Sequence, residues 1–140
     1  MAKTSIGLSW KGAMSFDAEV NGHIFPIDAD ASVGGEDRGP RPKPLTLVSL
    51  GGCTGMDVVS ILDKMRVKLD DFTVDVTGEL TEEHPKYFNK ITIIYTFTGK
   101  DLPLAKINKA VNLSQDRYCG VTAMLDKVAE IAHEIVIKES

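Results

Sequence analysis

Residues 44–67 read PLTLVSLGGCTGMDVVSILDKMRV, a stretch in which apolar side chains recur at helical spacing. Pro44 suits the first turn of a helix, so we predict a central helix over this whole stretch. Most of its other residues are apolar as well, which is typical of a helix that is buried on most sides. Three glycines in the stretch each weaken a helix by about 1 kcal/mol relative to alanine. They indicate either close backbone packing or room for a reactant beside Cys53.

Two regions of alternating apolar and polar residues predict antiparallel strands on either side of this helix. The first covers residues 4–28 and contains Asn21-Gly22, the strongest short signal for a hairpin turn. We expect three strands there in a meander, with Pro26 placing the third strand at an edge. The second region covers residues 69–98 and predicts one hairpin with a polar turn.

The remaining segments complete an α+β pattern. Residues 29–42 are rich in Gly, Pro and Asp and are predicted to form a loop. Two helices are expected over residues 103–114 and 119–127, and a last strand over residues 131–137. Strands grouped with intervening helices, rather than strict βαβ alternation, predict a single α+β domain over residues 1–140.

The composition argues against several classes of function. The net charge is −4 and there is no basic stripe, so we expect no nucleic-acid partner. No apolar run approaches the roughly 20 residues that span a bilayer, and the N-terminus lacks the apolar stretch of a signal peptide. We therefore expect a cytoplasmic protein with no membrane partner. The histidines are scattered and the two cysteines are far apart, so no metal-ligand cluster is visible.

The two cysteines are the candidate reactive groups. Cys53 and Cys119 each lie early in a predicted helix, beside small residues that leave a sulfur reachable. The positive end of a helix favours a thiolate, which is the nucleophilic form. A permanent structural disulfide is not expected in the cytoplasm. From the residues alone, the alternative for each cysteine is an inert buried residue that acts as a small apolar side chain.

Charged neighbours are expected to modify these thiols. Asp57 lies one helical turn after Cys53 and would either raise the pKa of its thiol or orient a cation that pairs with the sulfur. Arg117 would lower the pKa of Cys119 if it turned inward. Asp116 is a candidate cap for the helix that follows.

Two cysteine-containing regions of the chain resemble those of the OsmC/Ohr proteins. The first consists of Gly34-Gly35, Gly39-Pro40-Arg41-Pro42, Leu45 and the run LGGCTGMDVV over residues 50–59. The second is the run YCGVTAML over residues 118–125. The predicted order of strands and helices also matches this family over nearly the whole chain. The resemblance is nearer to the OsmC-like branch than to the organic-hydroperoxide-resistance members.

This resemblance implies an OsmC-like fold assembled as an intertwined homodimer, with the active sites at the subunit interface. It also implies a cysteine-dependent peroxidase that defends against oxidative stress. Cys53 would attack the O–O bond of a small organic hydroperoxide and become a sulfenic acid, which Cys119 would convert to a disulfide. A dithiol reductant protein would then reset the pair, and no bound cofactor or metal is implied.

The sequence departs from the family pattern beside the thiol. Active members hold the thiolate with an arginine from the N-terminal strands and a glutamate just before the central helix. Here Lys43-Pro44 occupies the glutamate's place and residues 1–37 contain no arginine. Lys11, Arg38 and Arg41 are the candidates to supply the cation. The alternative is a non-enzymatic dimeric module of the same fold that binds a small apolar ligand or senses redox state.

Overall fold

The computed structural model describes residues 2–140 and divides into two compact units, one up to Thr46 and one from Leu47 to Ser140. The elements in chain order are β1 (Gly7–Trp10), β2 (Phe16–Val20), β3 (His23–Ile27), a 3-10 turn (Ala31–Val33), α1 (Pro44–Lys64), β4 (Asp71–Leu80), β5 (Phe88–Gly99), α2 (Leu104–Leu113), a π-helical turn (Ser114–Tyr118), α3 (Gly120–Leu125) and β6 (Glu130–Glu139). This order confirms the predicted α+β class.

The first unit contains an antiparallel meander of β1, β2 and β3, as predicted. Val20 pairs with His23 across a two-residue turn formed by Asn21 and Gly22. Both turn residues have positive φ, 51° and 79° respectively. A type I′ hairpin turn requires positive φ at both central residues, and Asn-Gly adopts this conformation readily. Pro26 lies in β3, which is an edge strand of this sheet.

The loop after β3 is organised by the buried carboxylate of Asp28. Its two oxygens accept hydrogen bonds from the backbone N–H groups of Ala29, Glu36 and Arg38, at 2.7, 3.2 and 3.2 Å. Burial alone raises the pKa of Asp28, but these three N–H groups and the Arg38 charge outweigh it, so the pKa is lowered. The predicted loop over residues 29–42 is therefore tied together by an ionised side chain.

The second unit is built on a sheet with the strand order β4-β5-β6. β4 and β5 form the predicted antiparallel hairpin, whereas β6 runs parallel to β5, with Ile91 opposite Ile131. The parallel pairing requires the crossover that α2, the π-helical turn and α3 supply. Alternate side chains of the central strand are buried on one face: Ile91, Ile93, Tyr95 and Phe97.

α1 packs one stripe of its surface into the core of this unit. Gly51 lies so close to β4 that an added Cβ would be 3.1 Å from Cγ2 of Val76. Close packing is thus the role of this glycine, one of the two readings that the sequence left open. The fully buried positions of α1 repeat every four residues: Leu50, Thr54, Val58 and Leu62.

The opposite face of α1 is apolar but exposed, so the prediction of a helix buried on most sides is wrong for the single chain. Val48, Met56 and Val59 are 64%, 77% and 48% exposed, and Gly52 has no neighbouring atom within 4 Å of an added Cβ. Periodicity identifies apolar positions but not what covers them. By length and composition α1 could also cross a membrane, so the expectation that no apolar run approaches that length is wrong; core helices of soluble proteins meet the same criterion.

Candidate thiol site

Cys53 lies in the middle of α1 and is half-buried. The prediction that it sits near the positive end of a helix is wrong, because α1 begins at Pro44, about two and a half turns earlier. The influence of a helix dipole falls off within its first turn. The start of α1 therefore gives the Cys53 sulfur no electrostatic help.

Cys119 is buried and forms the N-cap of α3, which agrees with its predicted position at the start of a helix. Its Sγ accepts a hydrogen bond from the backbone N–H of Thr122 at 3.4 Å. The thiol itself caps this helix, so the prediction of Asp116 as the cap is wrong. Asp116 and Arg117 both lie in the π-helical turn, and both are exposed. Arg117 therefore does not turn inward toward the sulfur.

The fold brings Cys53, Asp57 and Cys119 together. The two sulfur atoms and one carboxylate oxygen of Asp57 all lie within 4.8 Å of one another. Both thiols are free, and a disulfide between them would need an S–S bond of about 2.05 Å. Spacing in the sequence revealed no metal-ligand cluster, but the tertiary structure brings these three potential ligand groups together from two distant segments.

The electrostatic surroundings disfavour a Cys53 thiolate. Burial raises the pKa of the Cys53 thiol, and the backbone N–H of Val121, which donates to the sulfur, lowers it. The Cys119 thiol and the Asp57 carboxylate raise the pKa further, and the net change is upward. Of the two roles considered for Asp57, the structure supports the one that opposes the thiolate. These surroundings therefore favour the thiol form of Cys53 over the thiolate.

A chain of buried hydroxyl groups connects Asp57 to the central strand. The Ser114 hydroxyl donates to Oδ2 of Asp57 at 3.0 Å, and Thr54 Oγ1 lies 2.7 Å from both Ser114 Oγ and Tyr95 OH. Each hydroxyl has one hydrogen to donate, and Ser114 uses its own on Asp57, so Ser114 must accept from Thr54, and Thr54 must accept from Tyr95. The side-chain amide of Gln115 donates to Thr54 and Tyr95 at 3.1 and 2.7 Å, which completes the set.

The sequence analysis missed this network. Thr54 occupies a polar position within the buried stripe of α1, and that mismatch is the signal that could have identified it. Tyr95 was correctly predicted to lie in a strand. Its hydrogen-bond partners Thr54 and Gln115 are distant in sequence, so local periodicity cannot reveal them. Ser114 and Gln115 belong to the π-helical turn, a feature that often occurs at functional sites and that spacing does not predict.

The three candidate cations lie in the first unit. Lys11 is in the turn between β1 and β2. Arg38 forms an ion pair with the neighbouring glutamate at 3.1 Å. Arg41 pairs with Asp37 at 2.6 Å and with Asp30 at 3.4 Å. Both arginines are thus engaged by acidic groups of their own loop, and the supporting role of all three cations stays a prediction.

An open cleft borders the carboxylate of Asp57 in the second unit. Its volume is about 490 Å³. The lining combines apolar side chains with an acidic, a basic and a hydroxyl group, which suits a small molecule that has both apolar and polar parts. The lining residues are Asp57, Ser60, Ile61, Lys64, Met65, Leu113 and Tyr118.

Comparisons with known proteins agree with this architecture. A family model described as OsmC-like protein matches residues 34–134. Protein YhfA of Escherichia coli (strain K12) is 37% identical over 127 residues, which cover 90% of this chain and 92% of the relative. A hypothetical protein from Aquifex aeolicus VF5 superposes with a TM-score of 0.88 at 28% identity, with 100% and 99% coverage. The organic hydroperoxide resistance protein OsmC of Legionella pneumophila has a TM-score of 0.69 at 12% identity, with 99% and 98% coverage, and shares the fold.

Proposed function

Because this chain belongs to the OsmC-like protein family, we propose that it is a cytoplasmic thiol peroxidase that reduces small organic hydroperoxides. The observation that carries the proposal is the approach of the Cys53 and Cys119 sulfurs to within 4.8 Å. Two free thiols at this separation need only side-chain rotation and small backbone shifts to form a disulfide. The name of the Legionella pneumophila structure, an organic hydroperoxide resistance protein, fits this assignment.

The proposed reaction has three steps. The Cys53 sulfur attacks the O–O bond of the hydroperoxide, is oxidised to a sulfenic acid, and releases the reduced substrate as an alcohol. The Cys119 thiol then displaces hydroxide from the sulfenic acid, giving a disulfide and water. An external dithiol reduces the disulfide to two thiols and becomes oxidised itself.

Because the pKa of the Cys53 thiol is raised, the first step calls for a base. We assign this task to Asp57, whose carboxylate oxygen lies within 4.8 Å of the sulfur. The carboxylate accepts the thiol proton as the sulfur attacks, and the departing alkoxide takes that proton to become the alcohol. The hydrogen bond from Ser114 holds the carboxylate in place during both transfers.

The exposed face of α1 supports a homodimer in this proposal. Val48, Met56 and Val59 form an apolar stripe along the helix, and large apolar patches on soluble proteins mark contact surfaces. We propose that a second copy of the chain covers this stripe, in agreement with the intertwined dimer that the family resemblance implies.

A second candidate function is a non-enzymatic dimeric module that binds an apolar ligand or senses redox state. The raised pKa of Cys53 favours it, because a protonated thiol is a weak nucleophile. The ion pairs of Arg38 and Arg41 within their own loop favour it as well. The cleft beside Asp57, whose apolar wall includes Ile61, Met65 and Leu113, would hold the ligand.

One experiment separates the two candidates. The reduced protein is mixed with one equivalent of cumene hydroperoxide, and its thiols and disulfide are counted over time by mass spectrometry. The peroxidase predicts rapid loss of both thiols and gain of one internal disulfide. Slow over-oxidation, at the rate of a free cysteine, would support the binding module instead.

Two variants test the roles of the sulfurs. We expect Cys53→Ser to abolish turnover, and Cys119→Ser to accumulate a sulfenic acid that dimedone traps. Full activity in both variants would contradict the proposed mechanism.

A further inference from the structure

We propose that Cys53, Asp57 and Cys119 form a binding site for one zinc ion, which masks both thiols while it is bound. Two thiolates and a carboxylate are donors that zinc prefers, and three protein ligands leave a fourth position open for water. Two sulfur donors disfavour magnesium and calcium, which bind oxygen ligands. This site is independent of whether the chain has peroxidase activity.

The geometry is close to that of a zinc site. Two Zn–S bonds of about 2.3 Å at a tetrahedral angle place the sulfurs ~3.8 Å apart. The potential ligand atoms here are no more than 4.8 Å from one another, so the sulfurs must approach by about 1 Å or less. Cys53 and Asp57 lie one turn apart on α1, while Cys119 comes from the start of α3. The three ligands therefore converge from two rigid elements.

Surrounding hydrogen bonds support these three ligands. The Ser114 hydroxyl donates to Oδ2 of Asp57 at 3.0 Å and fixes the orientation of the carboxylate. The backbone N–H groups of Val121 and Thr122 donate to the sulfurs of Cys53 and Cys119 respectively. These donors offset part of the negative charge of two thiolates and a carboxylate. Such outer hydrogen bonds typically orient metal ligands and tune their affinity.

The binding test uses the full chain, reduced and kept free of oxygen. Zinc is titrated against a chromophoric chelator, and cobalt(II) serves as a spectroscopic substitute. We expect one ion per chain and a near-ultraviolet absorption band from thiolate-to-cobalt charge transfer. Cys53→Ser and Cys119→Ser should each weaken that band. The absence of stoichiometric binding, or a cobalt spectrum without the thiolate band, would overturn the site.

A matched pair of variants tests the carboxylate. Asp57→Asn removes the anionic ligand but keeps the size of the side chain, and we expect zinc affinity to fall at least about tenfold. Asp63→Asn removes an exposed carboxylate from the same helix and should bind zinc like the wild type. Ser114→Ala should also weaken zinc binding while leaving all three ligands in the chain. Equal affinity in Asp57→Asn and the wild type would contradict the proposed ligand set.

The zinc-site proposal and the peroxidase proposal can be tested independently of each other. Peroxide turnover is measured in metal-free buffer containing a chelator, and zinc binding is measured without peroxide. Turnover without zinc binding would overturn the metal site alone. Zinc binding that protects both thiols from alkylation would support the site whether or not turnover is seen.

Discussion

The hydroxyl of Ser114 donates a hydrogen bond to the carboxylate of Asp57 across 3.0 Å. This bond joins α1, which carries Cys53, to the π-helical turn that leads to Cys119. Because the carboxylate can only accept, the bond also sets the direction of the buried hydroxyl chain behind it. A structural network and the candidate site thus share one side chain, Asp57.

We expect Thr54→Val to destabilise the protein by about 1–3 kcal/mol, because it removes a hydroxyl that partners Tyr95, Ser114 and Gln115 while preserving shape. Urea unfolding followed by circular dichroism measures the change. Thr77→Val, at an exposed position of β4, is the matched control and should stay within about 0.5 kcal/mol of the wild type. Equal stability of the two variants would show that the hydroxyl chain contributes little.

The rate of Cys53 alkylation should rise with pH around a midpoint above that of a cysteine in a short peptide, because burial raises the pKa of its thiol. Asp57→Asn removes a negative charge that also raises this pKa, so its midpoint should move to lower pH. Iodoacetamide labelling, resolved by peptide mass spectrometry, measures both curves. Asp63→Asn is the control and should leave the midpoint unchanged. A wild-type midpoint below that of the peptide would contradict the described surroundings of the thiol.

Asp28→Asn should destabilise the first unit at neutral pH, since the carboxylate accepts three backbone hydrogen bonds there. The pKa of Asp28 in the folded state is below its ordinary value of 3.8. Its contribution to stability is therefore complete above that value and is lost as the pH falls through the lowered pKa. The difference between wild type and variant should shrink in acid.

The fluorescence of Trp10, the single tryptophan of the chain, reports on unfolding of this unit. Glu19→Gln, which changes an exposed carboxylate of β2, is the control for a general charge effect. A difference between Asp28→Asn and wild type that is independent of pH would argue against a role for the ionised carboxylate.

Met56→Glu should convert the proposed dimer to monomer, because it places a charge in the apolar stripe on α1. Sedimentation velocity measures the mass, and circular dichroism checks that the fold is retained. Asn108→Glu, on the exposed face of α2, adds the same charge elsewhere and should stay dimeric. A monomeric wild type at micromolar concentration would contradict the dimer.

Local patterns were sufficient to predict most of the fold. Alternation located the strands because one face of each sheet is apolar, and Asn21-Gly22 marked a turn whose backbone few other pairs adopt. The start of α1 at Pro44 was predicted correctly, and its end at Lys64 lies three residues before the predicted end. The parallel direction of β6 was not predicted, because pairing between distant strands leaves no local signal.

The two cysteines of the candidate site could be singled out from the sequence, but their electrostatic surroundings could not be predicted in full. The family resemblance identified Cys53 and Cys119, and the structure brings their sulfurs together. The raised pKa of Cys53 was anticipated only through Asp57, as one of two alternatives; the contributions of burial and of Cys119, which is remote in sequence, were not predicted. The exposure of Met56 was not predicted, since a helical pattern marks apolar positions without showing which of them the fold of the chain buries.

The parallel alignment of β5 and β6 has a consequence for biosynthesis. The β4–β5 hairpin needs only neighbouring residues, so we expect it to form early, whereas β6 can dock only after the whole crossover containing Cys119 has been made. Until then, Cys53 on the nascent chain has no partner sulfur. In the proposed peroxidase cycle, a Cys53 sulfenic acid formed during translation would therefore have no resolving thiol and would be open to irreversible oxidation.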